Sequence, residues 1–448
     1  MLALYKHVSS SFLCRYSPSP GPLRRFVGIL SSTMIQFPAL FILLGLLLLA
    51  NSAAVDRTSE EGEAAILDPN QECTPYNYAT VTNQMNSFPQ VWESASILSD
   101  DAAAFAKWSS ISANIPTNIP QKTQPPPSSY SASDPDCWWT YGQCTTPKLA
   151  DLPPDVAAAS EPSTLGYGFD DGPNCSHNAF YDFLQGQNQK ATFYFIGSNV
   201  ADFPLEAQRA LTDGHEICAH TWSHPYMTTF ASEDMQMIKL VVGVTPTCWR
   251  PPYGDVDDRV RAIAHALGLQ TIMWEYDTAD ASVDGKTITD QTVVDNYDSF
   301  IQKASSGAFN STGAILLTHE LNNFTMSEAV NFYPQLKNVF QHLVPVGVSL
   351  NKTQPYVESN YSLPTFEQYI SGTLTGSRGS PNSTTALPSS TSTSLRPPST
   401  STANSAESSA SKNSASSLVK TGYNQILLSA SFAAICFHFF GTVDFLMI

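Results

Sequence analysis

The stretch LGYGFDDGP, residues 165–173, decides the fold assignment. A short apolar run, typical of a buried β-strand, ends there in two adjacent carboxylates and a Gly-Pro turn. Parallel α/β folds carry their functional side chains at the carboxyl ends of the strands, so Asp170 and Asp171 are candidate site residues. An isolated Asp-Asp-Gly is more typical of a solvated turn. The functional interpretation therefore depends on partners elsewhere in the chain.

Three later apolar runs also end in polar motifs. HTWSH occupies residues 220–224, RPPYG residues 250–254 and LTHE residues 317–320. Helix-like and strand-like runs alternate here, including a helix predicted at 232–242 and a last strand predicted at 344–350. About seven βα units across roughly 190 residues predict an α/β fold whose parallel strands close into a barrel. Because a regular barrel of this type has eight units, we expect a distorted or open one.

The two ends of the chain have the composition of targeting segments. An acid-free start, an apolar run and small residues predict a secretory signal region over residues 1–53, with Met34 as an alternative start. Residues 371–417 are rich in Ser and Thr and predict a disordered, O-glycosylated stalk. Small residues, a polar spacer and an apolar tail predict a glycosylphosphatidylinositol (GPI) anchor at Asn413, with residues 414–448 removed. A tail-anchoring helix is the alternative.

Residues 54–159 form a predicted N-terminal extension to which we assign no chemistry. Within it, the segment 136–144 contains two cysteines and resembles a stapled cap packed on the main domain. Six cysteines lie between the two targeting segments, so an oxidising compartment predicts three disulfides. We expect Cys218 to pair with Cys248, because each lies near the end of one of two adjacent predicted strands.

Charge and glycosylation sites also indicate a secreted protein. The formal net charge of −17 argues against nucleic acid as a partner and is compatible with a neutral or cationic polysaccharide. No feature indicates an obligate protein partner. Asn-X-Ser/Thr sites predict N-glycosylation at Asn174, Asn310, Asn323, Asn351, Asn360 and Asn382.

A metal site is predicted where the strand ends meet. Zinc with an open position takes three nitrogen or oxygen ligands and a water. His220 and His224 are four residues apart and present both rings to one side if the segment makes a helical turn. A carboxylate from Asp170 or Asp171 would complete the ligand set. The remaining carboxylate could then act as general base for the polarised water.

Arg250 and His319 extend this candidate site. Arg250 could hold the base ionised by charge pairing, although a structural salt bridge is the usual role of an arginine. His319 is the candidate general acid, with Asp277 or Asp280 keeping it protonated. Without the neighbouring motifs, His319 would be interpreted as a structural histidine.

FDDGP, HTWSH, RPPYG and LTHE, in this order, closely resemble the motifs of the polysaccharide deacetylase family (NodB homology, carbohydrate esterase family 4). The resemblance covers residues 160–352, and the layout of the whole chain resembles that of GPI-anchored fungal chitin deacetylases. The resemblance implies one divalent metal ion, zinc or alternatively cobalt. It assigns the base to Asp170, the metal ligands to Asp171, His220 and His224, the acid to His319, and supporting roles to Arg250 and Asp280.

The resemblance also implies a substrate pocket. The backbone N–H of Tyr253 would bind the developing oxyanion, and Leu317 would line the pocket for the acetyl methyl group. Gly168 stands where the family usually has Thr, and Ala281 where a Trp is common. The pocket is therefore expected to be wider than usual or lined from elsewhere, for example by Trp274.

The implied activity is removal of acetyl groups from chitin or N-acetylglucosamine oligomers, giving chitosan and acetate during cell-wall remodelling. The enzyme would be secreted and held at the cell membrane by its anchor or in the cell wall. One alternative is an O-acetyl esterase acting on another wall polysaccharide. A second alternative is a wall glycoprotein that binds chitin without catalysis.

Overall fold

A computed structural model describes residues 56–229 and 241–373 of the chain. The predicted signal region, the anchor site Asn413, the glycosylation site Asn382 and nearly all of the predicted stalk lie outside these residues. Most of the helix predicted at 232–242 also lies outside them. In the described part of the chain, no helix combines the length and apolar character needed to cross a membrane.

The described residues contain two sheets, and every pairing between their strands is parallel. The strands are β1 (Thr164–Gly166), β2 (Gly168–Gly172), β3 (Thr192–Phe195), β4 (Glu216–Ala219), β5 (Cys248–Trp249), β6 (Gln270–Thr271), β7 (Tyr276–Asp277), β8 (Ala314–Leu317) and β9 (His342–Val344). One sheet has the order β7-β8-β1-β9 and the other the order β2-β3-β4-β5-β6.

Two continuous segments join the sheets into a barrel. Only Tyr167 separates β1 from β2, and β6 and β7 both lie within residues 270–277. A parallel bridge between Asp170 and His319 links β2 to the segment after β8. If each joined segment is counted as one strand, the nine short strands become seven. The predicted distorted barrel of about seven parallel strands is therefore confirmed.

The strands are apolar because the barrel covers both of their faces. All four residues of β3, Thr-Phe-Tyr-Phe, are buried, as are all five of β2. On the outside, the helix Asn178–Gly186 buries Phe180, Tyr181 and Leu184, a spacing that places them on one helical face. Phe180 and Tyr181 pack against Phe193 of β3 at ring distances of 6.5 and 4.9 Å.

The other helices of the barrel domain mostly follow the predicted alternation. They are Gly197–Asp202, Pro204–Thr212, Asp258–Ala266, Asp290–Ser305, Asn323–Val339 and, near its end, Val346–Ser349 and Phe366–Ile370. The last strand predicted at 344–350 is wrong, because β9 ends at Val344. Pro345 caps a helical turn there, and the Gly347 N–H donates to the buried Glu216 carboxylate at 2.8 Å.

The N-terminal extension packs on the barrel as a series of short helices. Those helices are Glu60–Ala64, Pro69–Glu72, Ala79–Thr82, Ala102–Ile111 and Trp139–Gly142. Disulfides Cys73–Cys175 and Cys137–Cys144 staple it, and Cys218–Cys248 joins β4 to β5 inside the barrel. The prediction of three disulfides and of the Cys218–Cys248 pair is confirmed.

Candidate active site

The two acids at the end of β2 have different partners: Asp171 faces two histidines and Asp170 faces an arginine. Asp171 has φ +71° and is buried, and its Oδ1 has no hydrogen-bond partner. That atom lies 3.4 Å from Nε2 of His220 and 3.2 Å from Nε2 of His224. The three candidate ligand atoms all lie within 4.8 Å of one another. An orphaned carboxylate oxygen facing two imidazole nitrogens has the composition of an open zinc site.

The electrostatics of Asp171 agree with this interpretation. Burial raises the pKa of its carboxyl group, but the interactions with the two facing imidazoles lower it by more. The pKa of Asp171 therefore lies well below the ordinary value. The Asp171 carbonyl accepts a hydrogen bond from Asn199 at 2.7 Å, which holds the turn in its left-handed conformation. The residue is thus fixed as a carboxylate that points at both histidines.

The two histidines converge, but through a different local structure from the one predicted. His220 directly follows β4, and its Nδ1–H donates to the Arg250 carbonyl at 2.7 Å, which turns Nε2 toward Asp171. Residues 220–224 form a tight bend rather than a helical turn. Thr221 and His224 have φ +68° and +56°, and the Thr221 hydroxyl accepts from the His224 N–H. The ring centroids end 4.9 Å apart.

Asp170 lies beside the same site and pairs with Arg250. The Arg250 Nη1 lies 2.6 Å from Asp170 Oδ1, and the guanidinium is fully buried over the ring of Tyr194 at 3.9 Å. Asp170 Oδ2 remains 3.8 Å from His220 Nε2. Of the two acids left open by the spacing argument, Asp171 therefore has the ligand geometry and Asp170 is free to act as a base beside it.

His319 lies across the same strand ends. Its Nδ1 bonds Asp280 Oδ1 at 2.6 Å, and its backbone N–H donates to Asp280 Oδ2 at 3.0 Å. Asp277 instead accepts from the Ala279 N–H, so Asp280 is the partner. Burial lowers the pKa of His319, but the charge and hydrogen bond of Asp280, together with the charges of Asp171 and Asp170, outweigh it and raise the pKa to about 10.

The predicted pocket residues differ in exposure. Leu317 and Trp274 are buried, and Trp274 lies under the Arg250 guanidinium at 5.7 Å. Tyr253 has φ +57° and is 49 % exposed, and the centroid of its ring lies 4.5 Å from that of the His224 ring. The roles of Tyr253 and Leu317 toward a substrate remain predictions.

Trp139 is an aromatic residue near this pocket that the sequence analysis did not assign. It belongs to the extension and packs on Trp274 at 4.8 Å, while a Cβ at Gly254 would clash with it. Ala281, which stands where the family commonly has Trp, leaves the site without an aromatic side chain at that position. The paired tryptophans in the segment 136–144 were the available signal, but their distance in sequence from every motif concealed the contact.

Glu320, the last residue of the LTHE motif, is a second residue to which the sequence assigns no role. Its buried carboxylate contacts His177 Nδ1 at 2.8 Å and accepts from the Asn174 N–H and the Tyr181 hydroxyl. Burial raises the pKa of Glu320 to about 8. A Cβ at Gly172 would collide with this carboxylate, so the position of Glu320 requires a glycine in the Gly-Pro turn.

The predicted glycosylation sites among the described residues are mostly accessible. Asn310, Asn323, Asn351 and Asn360 are exposed. Asn174 is half-buried, and its amide donates to the Leu321 carbonyl at 2.7 Å. Their modification remains a prediction.

Comparisons with known proteins agree with this geometry. The profile of the family described as "Polysaccharide deacetylase" matches residues 158–272. Chitin deacetylase 2 of Cryptococcus neoformans var. grubii is 50% identical over 334 residues, covering 70% of this chain and 73% of that protein. Chitin deacetylase of Amylomyces rouxii is 41% identical over 314 residues, covering 66% of this chain and 74% of that protein.

Among solved structures, the chitin deacetylase of the fungal pathogen Colletotrichum lindemuthianum aligns with a TM-score of 0.42 and 23% identity. The alignment covers 46% of this chain and 96% of that one. Because relatives of such high identity are matched over more than two thirds of their length, the chain belongs to the polysaccharide deacetylase family.

Proposed function

We propose that this protein is a metal-dependent chitin deacetylase, which hydrolyses the N-acetyl groups of N-acetylglucosamine residues and releases acetate. One observation carries the proposal: the orphaned Asp171 oxygen faces His220 and His224 beside an arginine-held Asp170 and an aspartate-held His319. The names of the matched relatives support chitin as the substrate.

Asp171, His220 and His224 would hold one divalent ion, zinc or alternatively cobalt. When bound, the ion supplies Lewis-acid polarisation of the acetyl carbonyl and of the attacking water. Asp171 contributes a negative charge and the two imidazoles contribute neutral nitrogen, which leaves a net positive charge at the site for an electron-rich substrate.

Asp170 would take the proton of the attacking water. Arg250 holds one oxygen of Asp170, so the other oxygen is presented toward the site in a fixed orientation. His319 would give a proton to the amide nitrogen as the C–N bond breaks, since its Nδ1 is occupied by Asp280 and Nε2 remains as the donor. The products are acetate and the free amine, so the protons and bonds balance.

The pocket would be formed by residues around this pair. The Tyr253 N–H is proposed to donate to the carbonyl oxygen as negative charge develops on it. Leu317 and Trp274 are proposed to enclose the acetyl methyl group. With Ala281 small, the contact of Trp274 with Trp139 supplies the aromatic support in this region.

We also propose that the enzyme acts outside the cell, at the membrane or in the wall. The three disulfides support an oxidising compartment. The signal region at 1–53, the stalk at 371–417 and the GPI site at Asn413 are proposals supported by sequence composition alone.

Acetate release from N-acetylglucosamine oligomers, measured before chelation, after chelation and after zinc return, tests the proposal. Metal-dependent turnover that zinc restores is expected. An equal or greater rate on acetylated xylan would indicate an O-acetyl esterase instead. Binding of chitin without any acetate release would indicate a non-catalytic glycoprotein.

A further inference from the structure

The N-terminal extension sends one segment across the loop that carries both histidines. We define this segment, residues 73–92, as the strap. Its beginning is fixed by the disulfide Cys73–Cys175. Its end is fixed by Trp92, whose N–H donates to Ser198 Oγ at 2.9 Å and whose indole donates to Asp202 at 3.1 Å. The strap lies outside the residues matched by the family profile.

Between these fixed ends, the strap contacts Trp222. Trp222 is the central residue of the HTWSH motif, two positions from each histidine, and is 6 % exposed. Its indole N–H donates to the Gln90 carbonyl at 3.0 Å, and the ring of Phe88 stacks parallel to it at 6.0 Å. On its other side, a Cβ at Gly197 would lie 2.7 Å from the indole. Trp222 is therefore wedged between the strap and the helix Gly197–Asp202.

The loop needs such support because its backbone is strained. Thr221 and His224 are non-glycine residues with positive φ, and such conformations persist where the surroundings impose them. Besides the Thr221–His224 hydrogen bond, the described contacts that hold the loop include the Ser198 N–H to the Trp222 carbonyl and the two strap contacts to the indole. Through Trp222, the strap thus helps to hold the loop from which both histidine rings project.

The same extension also forms hydrogen bonds to Asp255, which links it to the loops on either side of the histidines. The Asp255 carboxylate accepts hydrogen bonds from three side chains of the extension: Gln124, Trp138 and Thr140. Its second oxygen accepts from the N–H and hydroxyl of Thr228, which follows the histidine loop. Asp255 itself follows the Tyr253 turn. The extension therefore holds the loops on both sides of the histidine pair.

We propose that the N-terminal extension is a positioning element of the metal site, acting through Phe88 and Gln90 of the strap on Trp222. The extension does not supply a ligand. It fixes the strained loop so that His220 and His224 face Asp171 before any ion binds. Metal affinity is therefore set partly by residues more than 80 positions away in sequence from the ligands. This inference rests on the metal-binding role proposed above.

The test is zinc affinity, measured on the metal-stripped full protein by competition with a chromophoric chelator. Phe88→Ala removes the stacked ring, and we expect zinc to bind about tenfold more weakly, the loss typical of residues that orient ligands. Trp222→Phe keeps a ring for stacking but loses the hydrogen bond to Gln90, and we expect a smaller loss of about threefold, as for one neutral hydrogen bond.

Phe183→Ala is the matched control. Phe183 is also half-buried and makes one aromatic contact, to Tyr333 at 5.3 Å, but it lies on the outer helix Asn178–Gly186. Its removal should lower the melting temperature without changing zinc affinity. Equal affinity in wild type, Phe88→Ala and Trp222→Phe would overturn the proposal, and so would an equal loss in Phe183→Ala.

Two further outcomes are distinguishable. If circular dichroism shows that Phe88→Ala is unfolded, Trp222→Phe decides: weaker zinc binding by this folded variant supports positioning, and unchanged binding rejects it. If wild-type protein does not bind zinc, the proposed metal site fails, and the positioning role fails with it.

Discussion

Among the residues that the structure describes, the barrel contains two clusters of metal-ligating residue types, and one of the two has the chemistry of a metal site. Asp171, His220 and His224 form one cluster, and Glu216, Cys218 and Cys248 form the other. β4 contributes to both, because it carries Glu216 and Cys218 and is followed directly by His220. Proximity alone therefore does not separate them.

The difference lies in what their polar atoms already bond. Cys218 and Cys248 are joined in a disulfide, and the Glu216 carboxylate accepts from Thr192 at 2.6 Å and from Gly347 at 2.8 Å. The Asp171 Oδ1 is buried and faces two imidazole nitrogens but has no hydrogen-bond partner, so a bound cation there would offset the desolvation of this charged oxygen. Unsatisfied atoms, rather than short distances, identify the functional cluster.

Removing Asp171 should have the largest effect. Asp171→Ala deletes the charged member of the ligand set, so we expect zinc binding and acetate release to be lost together. Metal content after dialysis and acetate release with added zinc measure this. Activity that added zinc restores to the wild-type level would contradict the ligand assignment.

Asp170→Asn should separate binding from chemistry. The amide keeps the shape of the side chain but cannot accept the proton, so acetate release should fall by about 100- to 10,000-fold while zinc affinity remains nearly unchanged. Parallel zinc titration and rate measurements check this. Wild-type turnover would show that another group is the base.

Asp280→Asn should change the pH dependence rather than abolish the reaction. Asp280 keeps the pKa of His319 raised, to about 10, against the effect of burial. Without this charge His319 loses its proton at lower pH, so the alkaline limb of kcat/KM should move down by about 1–3 pH units. An unmoved alkaline limb would mean that His319 is not the acid.

The same pKa predicts a pH dependence of stability. Because the folded-state pKa of His319 lies above the ordinary value of 6.5, its contribution to stability is fully present below pH 6.5 and is lost as pH rises to about 10. The stability difference between wild type and Asp280→Asn should therefore shrink across this range. Denaturant unfolding of the metal-free proteins at several pH values measures it.

Breaking the second cluster should have the smallest effect on activity. Cys218→Ser with Cys248→Ser removes the disulfide, so the free energy of unfolding should fall by about 2–4 kcal/mol. Zinc stoichiometry and acetate release at 25 °C should stay near wild type. Loss of one bound zinc in this variant would show that the second cluster also binds metal.

Two features far from the motifs could not be predicted from the sequence: the contacts of the N-terminal extension with the site region, and the helical turn after β9. Trp139 and Phe88 contact the site region only because the extension folds back over the barrel, and no local pattern encodes that contact. The helical turn Val346–Ser349 was predicted as strand because its composition is apolar and β-branched, whereas Pro345 and the Glu216 carboxylate determine its shape. In this turn, tertiary contacts outweighed the intrinsic strand propensity.

The sequence by itself determined the parallel barrel, the four strand-end motifs, the Cys218–Cys248 pair and the set of residue types that reach the site. These follow from hydrophobic periodicity and from the rule that strand ends carry the chemistry, both of which are local. The spacing of the motifs left open which acid faces the histidines and which acid holds His319, and the family resemblance implied Asp171 and Asp280. Only the tertiary structure provides the contacts of Asp171 with the histidines, of Asp170 with Arg250 and of Asp280 with His319. Asp171 has φ +71° and the pairing of β2 with β3 shifts register between Asp170 and Gly172, so both carboxylates reach the same site. Which partner each carboxylate meets depends on how the strands are arranged around the barrel.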